Sequence, residues 1–238
     1  MYDSNPITIQ YIFKLPDSTE VIFDINLDPE TLIFLNPVPD TIPQWASLDF
    51  HKCPNCTLNS ADQASCPLII SLFDIVDRFE KVISYDEVDI EVITGERRVS
   101  KHASAQRGIS SLMGLIIATC GCPHTSFFRP MARFHLPFAS DDETVYRAAS
   151  TYLLMQYFRL KEGHTFDEQL EGLNKIYQNI HEVNSAVADR LRAATETDSS
   201  VNALVILDTY TMFVPIGVET SLEEIRYLFE PYLSDAGA

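Results

Sequence analysis

Apolar and polar residues alternate along the first part of the chain, and beyond about residue 104 the apolar positions recur at helical spacing. Ile7, Ile9, Tyr11 and Phe13 share one face at period two, and Val21, Phe23, Ile25 and Leu27 repeat the pattern after the turn-like Pro16-Asp17-Ser18. This predicts a β-hairpin, with Leu32 to Leu35 as a third strand. Three prolines between Asn36 and Pro43 make that stretch a connector ending near Trp45, because proline can neither donate to a ladder nor continue a helix interior. Val88, Ile90 and Val92 alternate again, Gly95 turns the chain, and Arg97 to Lys101 return it, predicting a second hairpin.

Helical stripes separate and follow the hairpins. Pro67 starts a helix over about 67–82 whose stripe is Ile69, Leu72, Phe73, Val76 and Phe79. Ile109, Leu112, Met113, Ile116 and Ile117 mark a central helix ending near Gly121, and Gly108 and Gly114 within it point to close packing. Ser140 and Glu143 form a capping box for a helix over 141–162. The pairs Thr165 with Glu168 and Ser221 with Glu224 predict further helix starts, and Asp198 or Ser199 caps one containing Ala203 to Tyr210. With no repeat and no Gly/Ser linker, the expectation is one α+β domain over 1–238. Its β-rich part, 1–103, holds N-terminal antiparallel hairpins and a cysteine loop, and packs with a mainly helical part, 104–238.

Composition narrows what such a chain does. Of its 238 residues 46% are hydrophobic, ample for a core, while a net charge of −17 excludes general nucleic-acid binding and attraction to an anionic membrane. The longest apolar run, Leu112 to Ala118, falls far short of the roughly 20 residues of a membrane span. The N-terminus lacks the basic and apolar regions of a secretory signal, so a cytoplasmic protein is expected. In that reducing setting its five cysteines are thiols or metal thiolates rather than disulfides.

Four of those cysteines carry the sharpest chemistry. Cys53-Pro-Asn-Cys56 presents two sulfurs from one tight turn, Cys66 follows after nine intervening residues, and Cys122-Pro-His124 supplies further donors. A tetrahedral zinc takes four such ligands, so Cys53, Cys56, Cys66 and either Cys122 or His124 form a candidate metal set. An iron–sulfur cluster ranks below zinc. Cys53 to Cys56 resembles half of a zinc-ribbon or rubredoxin knuckle, but Thr57 stands where that pattern has Gly, and a second C-x2-C is missing. Cys66 and Cys122 both precede proline, which places them at extended-to-helix junctions. A thiol redox sensor using Cys53 and Cys56 is the other chemical reading, weakened by the loop-like sequence after Cys56. The bland one is buried, inert thiols.

Charge is unevenly distributed too. From Arg97 to His135 there is no Asp or Glu, while Arg97, Arg98, Lys101, Arg107, Arg129 and Arg133 all lie there. Arg129 and Arg133, with His135 and Arg147, form a candidate anion site, since planar guanidinium forks suit carboxylate or phosphate. The competing expectation is pairing with acids such as Asp141, Asp142 and Glu143. Arg97, Arg98 and Lys101 read as a solvated face, and Asp208 as either a buried carboxylate or a paired one. No nucleophile elbow, dinucleotide fingerprint or P-loop occurs, so no catalytic set is identified and enzymatic activity stays open.

Ser110-Ser-Leu-Met-Gly-Leu115, Gly121-Cys-Pro-His124, Pro130-Met-Ala-Arg-Phe-His-Leu-Pro-Phe138, Glu143 to Ser150 and Tyr152 to Phe158, together with the Cys53–Cys56 segment, resemble an uncharacterised bacterial protein family of unknown function. The resemblance implies a bacterial cytoplasmic origin and no mechanism. The function expected is a non-enzymatic binding or regulatory module, stabilised by zinc at the cysteines. Alternatives are an enzyme or sensor holding a small anion at Arg129, Arg133 and His135, and the thiol sensor. The partner is a protein or a small anionic ligand, and the aromatics Tyr227 and Phe229 leave self-association open.

Overall fold

Ile7–Lys14 (β1) and Glu20–Leu27 (β2) pair antiparallel around the Pro16-Asp17-Ser18 turn, and Glu87–Thr94 (β3) and Arg98–Ser104 (β4) form the second hairpin. The computed structural model describes residues 5–35, 41–194, 200–205, 208 and 222–233. The two hairpins join through antiparallel β1 and β3 into one sheet of order β2-β1-β3-β4. The sheet buries Tyr11, Phe13, Phe23, Ile25, Ile90 and Val92 on one face. Its other face is polar, tied across the strands by Gln10 to Asp24 at 2.7 Å, Arg98 to Glu91 at 3.1 Å and His102 to Asp89 at 2.7 Å. One covered and one wet face is what strict alternation encodes. Arg97 and Arg98 lie exposed, as the solvated-face reading expects, but Lys101 is half-buried, its Nζ 5.7 Å from the centre of the Phe138 ring.

Pro67–Arg78 (α1) and Ala105–Thr119 (α2) cover the inner face. Phe79, just past α1, meets Phe13 edge-on at 4.9 Å and stacks on Phe23 at 5.6 Å. α1 stops at Arg78 rather than near Val82: beyond Phe79, at φ −99° and ψ 11°, the N–H groups of Glu80 and Val82 bond the i−3 carbonyls of Asp77 and Phe79 in turns instead of i−4 carbonyls. α2 comes so close to the sheet that a Cβ on Gly108 would collide with Ile90 Cδ1 and stand 2.7 Å from Phe13 Cε1. Gly121, with φ +87°, follows its end.

After a 3-10 turn, Pro123–Phe128, and a short helix, Arg129–Arg133 (α3), come the long helices Asp141–Lys161 (α4) and Glu171–Ala194 (α5). Ser140 and Glu143 make the predicted capping box, with Ser140 Oγ accepting the Glu143 N–H at 3.2 Å and Glu143 Oε2 accepting the Ser140 N–H at 2.7 Å. Ala148, Tyr152, Leu170, Leu173 and Tyr177 form a smaller apolar cluster. The architecture is α+β.

Two further local expectations differ from the structure, and a third lies outside the described residues. Leu32 to Leu35 is not a strand but a single bridge, Leu27 with Phe34, after a turn in which Asp28 Oδ1 accepts the N–H groups of Glu30 and Thr31 and Leu32 takes φ +57°. Thr165 and Glu168 open no helix. Leu170, at φ +53°, is incompatible with one, so α5 begins after it, and Asp167 instead receives the Glu171 and Gly172 N–H groups. The predicted cap at Asp198 or Ser199 and that at Ser221 lie outside the described residues, although 200–205 and 222–224 are helical. Asp208 pairs with His181 Nδ1 at 3.0 Å. Among the described residues no single helix is long and apolar enough to cross a membrane.

Candidate functional site

The segment between residues 47 and 66 carries no helix and no strand of its own, so its backbone groups need outside partners. A bridge between Ser47 and Ser65 closes its neck, with the Leu48 N–H on the Ala64 carbonyl and the Cys66 N–H on the Ala46 carbonyl. Arg190 of α5, only 2% exposed, reaches the same neck and donates to the carbonyls of Ser47 at 2.9 Å, Trp45 at 3.3 Å and Leu48 at 3.4 Å. No carboxylate pairs with it among the described residues.

Cys53 and Cys56 turn at the head of this loop, where the Cys56 N–H donates to the Cys53 carbonyl at 3.0 Å. Cys66 occupies the N-cap of α1, and Cys122 that of the 3-10 turn, the extended-to-helix junctions that their prolines predict. His124 Nε2 bonds the Asn55 carbonyl at 2.7 Å, which brings the Cys122 segment against the loop and commits that nitrogen away from the sulfurs. Burial pushes the Cys53 thiol up to about 11, and charge on Cys66, Cys56 or Cys122 pushes it the same way, so the four sulfurs share one neighbourhood. Burial also raises Cys122 to about 11, against N–H groups of His124 and Thr125 aimed at its sulfur. This is the reverse of an activated redox thiolate. All five cysteines are free thiols, and Cys120 is a core residue whose sulfur donates to the Ile117 carbonyl. Among the described residues no three His, Cys, Asp or Glu side chains already stand close enough to hold a metal.

A second region lies between α2, residues 128–139, α4 and α5, where a cavity of about 200 Å³ opens beside the core. Its walls are mostly apolar, with Leu115, Phe128, Met131 and Ile180 among them, and they include Arg107, Arg147, His135, Tyr177 and Asn184. Arg147 donates to the carbonyls of Met131 at 2.7 Å and Phe134 at 3.2 Å, so it also holds the 129–134 segment in place. Burial lowers its pKa from the ordinary arginine value, while Tyr177 and Glu143 act in the opposite sense. Arg107 Nε is buried with no partner, and neither arginine forms an ion pair among the described residues. His135 Nε2 lies 2.6 Å from the fully buried Tyr11 hydroxyl, which also meets Ser111 Oγ at 2.8 Å, and Ser111 in turn accepts the Phe138 N–H.

A model of a domain of unknown function, DUF6901, matches residues 9–230. The chain belongs to the DUF6901 family. No curated protein and no solved structure matches it. Both the cysteine loop and the cavity fall inside the span that DUF6901 covers.

Of the anion candidates, His135 and Arg147 line the DUF6901 cavity, whereas Arg129 and Arg133 belong to α3 and are not among its walls. Arg133 lies over the Phe134 ring at 5.4 Å, and Arg129 Nε is buried without a partner. Burial, then the Arg147 charge, pulls the His135 imidazole down to about 3, so the ring is neutral near pH 7, with its Nε2 hydrogen-bonded to the Tyr11 hydroxyl. With its pKa so far below neutrality, the imidazole is a weak proton acceptor. Sequence reasoning passed over Arg107, Tyr177 and Asn184 as site residues because helices distant in sequence bring them together. Arg190 left one signal, an arginine beside Leu191 within the apolar stripe of α5.

Proposed function

We propose that this chain is a non-catalytic binding module that holds a small carboxylate with an apolar body in the cavity. The observation that carries this reading is the pair Arg107 and Arg147 at a mostly apolar cavity, without ion pairs among the described residues of a chain of net charge −17. Buried charge is ordinarily paired, so an anion from outside is the natural complement. A volume of about 200 Å³ limits the ligand to metabolite size. Calorimetry with hexanoate, octanoate and benzoate, each beside its neutral alcohol, tests it. Carboxylates should bind and alcohols fail, and Arg107→Gln should weaken binding at least tenfold. Equal binding of acid and alcohol, or no binding of any acid, would overturn the reading.

The module's cysteine loop is fixed, in the same proposal, by one zinc ion on Cys53, Cys56, Cys66 and Cys122. The four thiols come from three separate segments and would have to close in on the ion, since no three described ligands yet stand close enough to hold one, and His124 is already engaged with Asn55. Four thiols would give up four protons to the solvent as zinc binds. The resulting tetrathiolate, of charge −2, would lie near Arg190, whose pKa burial lowers and negative charge on Cys66, Cys53 and Cys56 raises. Elemental analysis of protein purified without chelator should find about one zinc per chain, lost in Cys66→Ser. Metal-free protein with a Cys53–Cys56 disulfide under mild oxidant would favour the thiol sensor.

A further inference from the structure

α4 buries one side only. Ala148, Ala149, Tyr152 and Gln156 turn inward, while Tyr146, Leu153, Leu154, Tyr157, Phe158 and Leu160 stand exposed, Tyr146 at 47%, Leu153 at 41% and Tyr157 at 50%. Single exposed apolar side chains are ordinary, but six on one helix form a contiguous patch of the kind that marks an interface.

Its sequence says what covers it. Asp142, Tyr146, Ser150, Leu153, Tyr157 and Lys161 succeed one another in steps of four, four, three, four and four, which keeps them on one face and reads the same from either end. Such a stripe complements itself under a two-fold axis. An antiparallel second copy sets Tyr146 against Tyr157 and Ser150 against Leu153, and the axis repeats each pair. Small Ser150 at the centre lets the helices approach, with the larger side chains interlocking on either side. Charge selects the direction. The first turn of α4 is acidic, with Asp141, Asp142 and Glu143, and its last turn basic, with Arg159 and Lys161. Antiparallel packing places each acidic end on a basic one, including Asp142 on Lys161, whereas parallel packing would set like charges together.

We infer that α4 is a dimerisation surface that takes a second copy of this chain antiparallel across a two-fold axis near residues 151 and 152. The inference is independent of the cavity and of the cysteine loop, neither of which involves the exposed stripe. Because each copy carries a net charge of −17, the measurement belongs at about 0.15 M salt, where the screening length of about 8 Å suppresses long-range repulsion.

Analytical ultracentrifugation of the full chain from 1 to 100 µM tests it. A dimer is expected, weakened at least a hundredfold by Leu153→Glu with Tyr157→Glu. Asp142→Lys alone and Lys161→Glu alone should each weaken it about tenfold, because the axis places each charge twice, and the double reversal should recover most of the loss. All these positions are exposed, so unchanged circular dichroism separates lost association from lost folding. A monomer across the range would overturn the proposal, whether the stripe is then bare or covered by another part of the chain. So would a dimer indifferent to the stripe substitutions, or a charge reversal that the double variant does not rescue.

Discussion

Gly108→Ala sets two well-calibrated effects against each other. Within a helix, alanine in place of glycine is worth about 1 kcal/mol of stability from backbone entropy alone. At Gly108 the new Cβ would collide with Ile90 Cδ1 and stand 2.7 Å from Phe13 Cε1, both in the buried face of the sheet. Phe13 is wedged between Phe79 and Phe23, so neither the ring nor the strand gives way freely. Overpacking of this kind costs about 1–3 kcal/mol, which leaves a net loss of up to about 2 kcal/mol. Ile90→Val removes the colliding atom and by itself costs about 0.5–1.5 kcal/mol. The double variant should therefore lose less than the sum of the singles, by about 1 kcal/mol. Urea unfolding with an unchanged m-value measures all four corners of the cycle. A Gly108→Ala protein more stable than the parent, or singles that add within about 0.5 kcal/mol, would refute the close approach of α2 to the sheet.

Protonation of His135 is a second lever. Its folded pKa of about 3 lies below an unfolded value near 6.5, so between these limits the unfolded chain takes a proton that the folded one refuses. Stability should then fall with pH below about 6.5, by up to about 1.4 kcal/mol per unit from this residue, and denaturant titrations of His135→Asn should lack that slope. Ser140→Ala removes the Oγ that accepts the Glu143 N–H and should cost about 1 kcal/mol in the same assay, with Ser140→Asp near neutral. Arg190→Met strips three carbonyls of their donor and should cost about 2 kcal/mol, some of it offset because a buried guanidinium need no longer be desolvated. Trypsin should then cut at Lys52 faster than in the parent, and unchanged cleavage would mean that Arg190 does not hold the loop.

The strands were legible because one face of the sheet is buried and the other wet, so the burial requirement is written at period two in β1, β2 and β3. Which hairpin edge meets which is not written locally, and the β1–β3 pairing comes from the common face that α1 and α2 cover. Local capping signals divided on the same principle. Ser140 and Glu143 cap because nothing around them objects, whereas Thr165 and Glu168 have the same spacing but stand before Leu170, whose left-handed backbone sets the true start of α5. The cysteine–proline junctions were readable since Pro fixes a first helical turn wherever it stands. The cavity was not, because its arginines come from α2 and α4. Arg147 stands near Arg129 and Arg133 in sequence and entered the anion set with them, whereas Arg107, a helix away, did not.

Both candidate regions lean on α5, from different parts of the helix. Tyr177, Ile180 and Asn184 wall the cavity, while the Asn179 carbonyl accepts from Asn55 at 3.0 Å and Arg190 grips the loop neck. A loop of this length without secondary structure has little apolar area to order it, so its order comes from α5 and, on the proposed reading, from a metal. The helix thus touches both regions. If that mechanical link is energetic, it must be reciprocal: chelation that loosens the loop weakens carboxylate binding, and the bound carboxylate slows loss of the metal by a matching change in affinity. Thermal shifts with octanoate, with and without chelator, measure the coupling. Shifts that simply add would show that α5 is a rigid partition between two independent regions.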